Sequence, residues 1–199
     1  MMELRVFDDL AAQLQANLSY ERFIHTLGVA YTANALALKY KYEPAERAFI
    51  AGLLHDCAKY EDESQMYAEA QDNLAFIDDF DRANPSLIHA KLGPIIAQRD
   101  YGIYDTEVQD AIRYHTTGRP NMTLLEKIVY VADYIEPLRD FHPNATKIAE
   151  MAFEDIDKCV AMIADNVLKH LENEGKLIDP ITKRTQEFYS NLIAEREDN

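Results

Sequence analysis

The chain has 199 residues, 48% of them hydrophobic, with 35 acidic against 20 basic side chains and a net charge of −15. That length gives one domain with a real core, and that charge argues against non-specific binding to nucleic acid polymers or anionic membranes, both polyanionic. Six glycines and seven prolines are few, which suits long helices with short loops and not a turn-rich β protein.

From the N-terminus, Leu4, Phe7, Leu10 and Leu14 recur at steps of three and four and predict a helix over 3–18. Ser19 is placed to N-cap a second helix over about 20–40, where Arg22, His25, Val29, Thr32 and Leu36 make one stripe. Pro44 opens a third helix, 45–59, in which the apolar run AFIAGLL leads into His55 and Asp56. An ionised carboxylate drawn inside with that run is costly without a partner. Residues 60–73 are acidic and read as a loop with a solvated helix. A helix through LIHAKLGPIIAQRDYG follows Pro85 and Ser86, with Gly93 and Pro94 expected to kink it. Thr106 is expected to cap a helix over 107–114 that ends at His115. After the loop TTGRPNM, a helix over 123–136 carries Asp133 and stops at Pro137. Residues 145–173 make one or two helices ended by Gly175, GKLIDPIT (175–182) is a connector, and a charged helix over 183–197 closes the chain. The expected fold is all-α, a bundle of eight or nine helices.

Cys57 and Cys159 stand far apart and form no disulfide framework or metal-type pair. Cys57 follows Asp56 but points about 100° away on a helix, and reads as a small buried residue. MMELRVFDDL lacks the basic region and apolar run of a signal peptide, and no apolar run reaches the roughly 20 residues that span a bilayer. The expected location is the cytoplasm.

Four of the six histidines, with two aspartates, form an ordered series: His25, His55-Asp56, His89, His115, Asp133. Each has apolar neighbours, in FIHTL, GLLHD, LIHAK, AIRYH and YVADYI, so all six side chains are expected to point inward to one place. A single histidine in such a setting is more often a satisfied core residue than a ligand. Six together would accumulate burial penalties that a bound cation removes at once, and neutral imidazoles with carboxylates suit iron, manganese or zinc. Asp56 thereby gains its partner.

His…His-Asp…Asp across helices resembles the HD-domain metal-dependent phosphohydrolases. The strings IHTLGVA (24–30), GLLHDCAK (52–59), IHAKLGPIIA (88–97), IRYHTTGRPNMTLLEKIVYVADYIEPLR (112–139) and GKLIDPITKRT (175–185) resemble its YqeK-type members, the symmetrical diadenosine tetraphosphate hydrolases. The resemblance implies one HD domain over 1–199, with a core of about 20–140 and C-terminal helices over about 145–197. It implies a first metal on His25, His55, Asp56 and Asp133, with Asp56 bridging to a second on the side of His89 and His115. With one metal only, His89 and His115 would instead hydrogen-bond substrate phosphate. It favours one or two iron ions, with manganese or another divalent metal as the alternative, and implies symmetrical cleavage to two ADP by attack of an activated water on a central phosphorus.

Arg22, three residues before His25, shares its face and can meet a phosphate bidentately. Lys59, four after His55, offers a point charge there, against a bland reading as a solvated lysine. Thr116 follows a candidate ligand, and Arg139 lies six after Asp133. The resemblance gives Arg22, Thr116, Arg139 and the segment Lys176, Leu177, Ile178, Asp179, Pro180 and Ile181 nucleotide contacts, with ADP or GDP as product-like ligands. Leu177, Ile178 and Pro180 offer an apolar surface for a base, or simply a packed turn. His142 and His170 are expected at the surface, and the assembly is a monomer or homodimer. Two competing readings keep the metal site: a phosphohydrolase of deoxynucleotides or guanosine tetraphosphate, and a nucleotide sensor without turnover. A third is a helical adaptor with unrelated buried histidines.

Overall fold

The computed structural model of the protein describes residues 4–60, 62–73, 77, 79–138 and 144–198. Among them are eleven α-helices and one 3-10 turn, with no strand. In order these are α1 (Leu4–Asn17), α2 (Tyr20–Lys39), α3 (Ala45–Leu54), α4 (Glu63–Asn73), α5 (Asp79–Ala83), the turn Pro85–Leu87, α6 (Ile88–Tyr101), α7 (Thr106–Tyr114), α8 (Leu124–Ile135), α9 (Ala145–Ala152), α10 (Ile156–Asn173) and α11 (Pro180–Glu197).

The all-α expectation holds, and the count exceeds eight or nine for identifiable reasons. Residues 60–73 contain a full helix, α4, and α5 adds a single turn or so. The 145–173 stretch divides at Phe153–Asp155, where the Asp155 side chain accepts from Asp157 N and Lys158 N and starts α10 afresh. Two helix starts differ from expectation. Asp105, not Thr106, caps α7, and Asp179 caps α11, which begins at Pro180 and not at 183. In each case an aspartate one residue earlier takes the orphan N–H groups. Pro94 lies within α6, and the helix runs on through it to Tyr101.

The bundle is organised by α2, which packs chiefly on α3 and α8. Small residues allow the close approach: a Cβ on Gly52 would lie 2.9 Å from Ala30 Cα, and Ala30, Ala33, Ala48 and Ala51 are all fully buried. Helices α7 and α3 meet each other and α8, α6 lies on α7, and α10 packs on α8 and pairs with α11 in a hairpin. Thr123 and Glu126 form a capping box that fixes the start of α8. The ends of α3 and α7, the start of α6 and the first half of α2 therefore face one another beside α8.

Candidate metal centre

The third helix was expected to run to residue 59; it ends at Leu54, and Cys57 N→Leu54 O and Lys59 N→Asp56 O bonds of 3.0 and 2.9 Å turn the chain. His55 is therefore a C-cap, as is His115 after α7. The last carbonyls of a helix have no intrahelical donor, and these rings use them. His55 Nδ1 lies 2.7 Å from Gly52 O and His115 Nδ1 lies 2.7 Å from Ile112 O. His89, in the first turn of α6, makes the same three-residue reach to Ser86 O at 2.6 Å. With the Nδ1 proton on a carbonyl, each ring turns a bare Nε2 the other way.

All three point to one centre. His55, His89 and His115 are buried, at 0, 1 and 2% exposure, and the ring centroids of His55 and His115 are 4.9 Å apart, those of His89 and His115 5.1 Å. His25 joins from α2 at 5.2 Å from His55. Asp56 Oδ1 faces His89 Nε2 at 3.2 Å and His115 Nε2 at 3.5 Å, while its Oδ2 faces His55 Nε2 at 3.5 Å. Asp133 Oδ1 lies 3.1 Å from His25 Nε2 and 3.6 Å from His55 Nε2. The ordered series of the sequence is thus one cluster in space.

The donor set fits a divalent cation. His55, fully buried, has an Nε2 without a hydrogen-bond partner. The Nε2 atoms of His89 and His115 approach to 3.2 Å, two lone pairs that need a proton or a cation between them. Ligand atoms of His25, His55 and Asp133 lie within 4.8 Å of one another, and so do those of His55, Asp56 and His115. Burial disfavours the Asp56 carboxylate, but the facing imidazoles of His55, His115 and His89 outweigh it and hold its carboxyl well below the usual range. Burial pushes His89 down to about 4 against the pull of Asp56. Burial also depresses His55, but Asp56 and Asp133 outweigh it and raise the ring. An ionised carboxylate with a neutral His89 is the protonation state in which a metal binds.

Around the centre, Arg22 Nη1 holds Asp56 Oδ2 at 2.8 Å, and Lys59 Nζ comes within 3.4 Å of His89 Nδ1. Thr116 Oγ1 is buried without a hydrogen-bond partner. Beside it lies a cavity of about 70 Å³ whose wall includes Ala90, Arg113, Thr116, Asp179 and Ile181. So Asp179 and Ile181 of the connector reach the His115 side, while Leu177 is 59% exposed and Lys176 and Pro180 face solvent. Of the residues expected to offer an apolar surface to a base, Leu177 and Pro180 are exposed and Ile178 is half-buried. On the other side, a cleft of about 620 Å³ is bordered by Ser19, Cys57 and Tyr60, with Asn17, Gln65 and Asp100 in its wall. Cys57 is buried with its Sγ 3.5 Å from Gly93 O. His170 is exposed near the end of α10. Arg139 and His142 lie outside the described residues.

Sequence reasoning missed Glu136. It is buried at 3% exposure, and its Oε1 lies 3.0 Å from His25 Nδ1. The available signal was an acid three residues after Asp133 at the end of an apolar helix.

The sequence matches the HD domain family over residues 22–138. It is 37% identical over 190 residues to a Bacillus subtilis protein named bis(5'-nucleosyl)-tetraphosphatase, symmetrical, covering 94% of this chain and 97% of that one. A Staphylococcus aureus protein of the same name is 37% identical over 76% of this chain and 77% of its own. The crystal structure of a Clostridium acetobutylicum protein, described as a predicted HD superfamily hydrolase involved in NAD metabolism, superposes with a TM-score of 0.87 at 39% identity. It covers 93% of this chain and 97% of that one.

Proposed function

The chain belongs to the HD domain family, and from that premise we propose that it is a symmetrical bis(5'-nucleosyl)-tetraphosphatase. It hydrolyses diadenosine tetraphosphate to two ADP. The observation that carries the metal-dependent chemistry is the meeting of four buried or half-buried imidazoles and two aspartates with ligand atoms turned on one centre.

His25, His55, Asp56 and Asp133 hold the first metal in this reading. The division of Asp56, with Oδ2 toward His55 and Oδ1 toward His89 and His115, supports a bridging role when a second ion is bound. A divalent ion there supplies Lewis acidity and an activated water at neutral pH. We favour iron, with manganese next; the His and Asp donors also suit zinc.

The other residues handle the polyphosphate. Arg22, already charged and 2.8 Å from Asp56, is positioned to transfer its guanidinium to a phosphate, which it can grip bidentately. Lys59 adds a second cation beside His89. The Thr116 hydroxyl donates to a phosphate oxygen, and by family resemblance Arg139 is a further nucleotide contact. Water's oxygen ends on one central phosphorus, the bridging P–O bond breaks, and the second ADP leaves with the bridging oxygen. ADP is stable as an anion, so no strong general acid is required. The cavity bordered by Thr116, Asp179 and Ile181 supports including the C-terminal helices in the same single HD domain. The cleft beside Tyr60 has the volume of a small-molecule site. With a net charge of −15, a nucleotide held by local cations fits better than a nucleic acid polymer. No described helix is long and apolar enough to cross a membrane, and two buried free cysteines suit a reducing cytoplasm.

The test is to incubate protein of known metal content with diadenosine tetraphosphate and resolve the products by anion exchange, with and without chelator. ADP as the sole nucleotide product, lost on chelation, is expected. AMP with ATP, or released inorganic phosphate, would contradict the symmetrical reaction.

A further inference from the structure

Three of the four central histidines are oriented by a carbonyl three residues earlier, because each sits at a helix end or in a first turn. His25 has no such resource. It lies inside α2, where the carbonyls are committed to the N–H groups four residues on. Its Nδ1 faces Glu136 Oε1 at 3.0 Å, and its Nε2 faces Asp133 Oδ1 at 3.1 Å. Both carboxylates come from the same end of α8. Glu136 is itself held: it is the C-cap of α8, its side chain is 1% exposed, and its Oε2 accepts from Leu138 N at 2.9 Å. Room for it comes from Gly28, one turn beyond His25, where a Cβ would stand 2.4 Å from Glu136 Oε2.

We propose that Glu136 is a positioning residue for the metal centre: it fixes the Nδ1–H tautomer of His25 and aims its Nε2 at the ion, and Gly28 is small in order to admit it. The inference rests on His25 being a metal ligand, as proposed above. A carboxylate behind an imidazole makes it a stronger donor than a carbonyl does. His25 is thus the ligand whose hold on the metal depends on a distant side chain and not on its own backbone. Asp133 and Glu136, one turn apart, clamp the ring from its two nitrogens. The Glu136–Leu138 bond ties the same clamp to the chain as it leaves α8.

The measurement is manganese affinity, read by competition with a chromophoric chelator, for the full-length wild type and the variants E136Q, G28A and H25A. Steady-state kinetics at low and saturating manganese accompany it. E136Q removes the charge behind the ring. G28A leaves the carboxylate chemically intact, pushes it off His25, and favours the helix, so it decides the matter should E136Q fold poorly. The expected result is a loss of roughly 10- to 100-fold in manganese affinity for both. Saturating manganese should restore kcat, with KM for the nucleotide unchanged. A merely structural role would move neither the affinity nor its rescue by metal. Affinity within twofold of wild type in both variants, with H25A still impaired, would overturn the positioning role alone. Unchanged affinity in H25A would overturn the ligand assignment beneath it, and this inference with it.

Discussion

Where α10 and α11 pack beside α8, charge is matched from within the chain. Asp157 takes Lys127 Nζ at 2.7 Å and Arg196 Nη2 at 2.5 Å, Lys158 pairs with Glu197 at 3.0 Å, and the fully buried Tyr189 accepts from Met122 N at 3.0 Å. Under α8 the pattern is the reverse. His89 and His115 point lone pairs at each other, and His55 Nε2 has no hydrogen-bond partner. Both regions bury polar atoms, and in the second the ring nitrogens and carboxylates of several helices converge on one centre. The lesson is that satisfied polar burial serves folding, whereas converging acceptors mark a place for a ligand.

Changes at the centre should cost function and spare the fold; changes at the hairpin should do the opposite. The largest effect is expected for Asp56→Ala, which removes the carboxylate that all three buried rings face. Turnover should fall by at least about 10³-fold and bound metal should be lost. The far-UV circular dichroism of the metal-free protein should stay that of wild type. Normal turnover in a folded, metal-poor variant would break the contrast.

Next in size is the response to metal. At free metal about 100 times its dissociation constant, binding to the native state alone adds about 2.7 kcal/mol. That is roughly 5–10 °C in Tm for a chain of this size, and thermal melts with and without chelator should show it in wild type and not in Asp56→Ala.

At the hairpin, Tyr189→Phe leaves the buried Met122 N–H without an acceptor and should cost about 1–3 kcal/mol, with kcat unchanged at a temperature where the variant is folded. Asp157→Asn is the smallest change, about 1 kcal/mol at pH 7. Burial opposes ionisation of Asp157, but Lys127 and Arg196 outweigh it and lower its carboxyl below the usual value. A carboxyl depressed in the folded state stabilises above its unfolded pKa of about 3.9 and loses that contribution as pH falls through the folded value. Urea curves should therefore separate wild type from Asp157→Asn at pH 7 and bring them together as pH falls below the folded value.

How much of this was legible in the sequence follows from which forces act locally. The stripe of Leu4 to Leu14 and the Ser19 cap are short-range features, and their helices fall close to expectation. The six site residues were found because polar side chains in apolar strings need a common partner. What escaped depends on tertiary geometry. The end of α3 at Leu54 breaks the argument that Lys59 shares a helical face with His55, although the turn still brings Lys59 to His89. Glu136 has meaning only once α2 and α8 are docked, since its partner is 111 residues away in sequence.

The most direct test of the contrast is an anomalous difference map at the iron or manganese edge from crystals of metal-loaded protein. The expected result is a peak at about 2.0–2.2 Å from the Nε2 atoms of His25 and His55 and from oxygens of Asp56 and Asp133, with none at the hairpin. Loaded, active protein whose map shows no density at that centre, or shows the metal elsewhere, would contradict it.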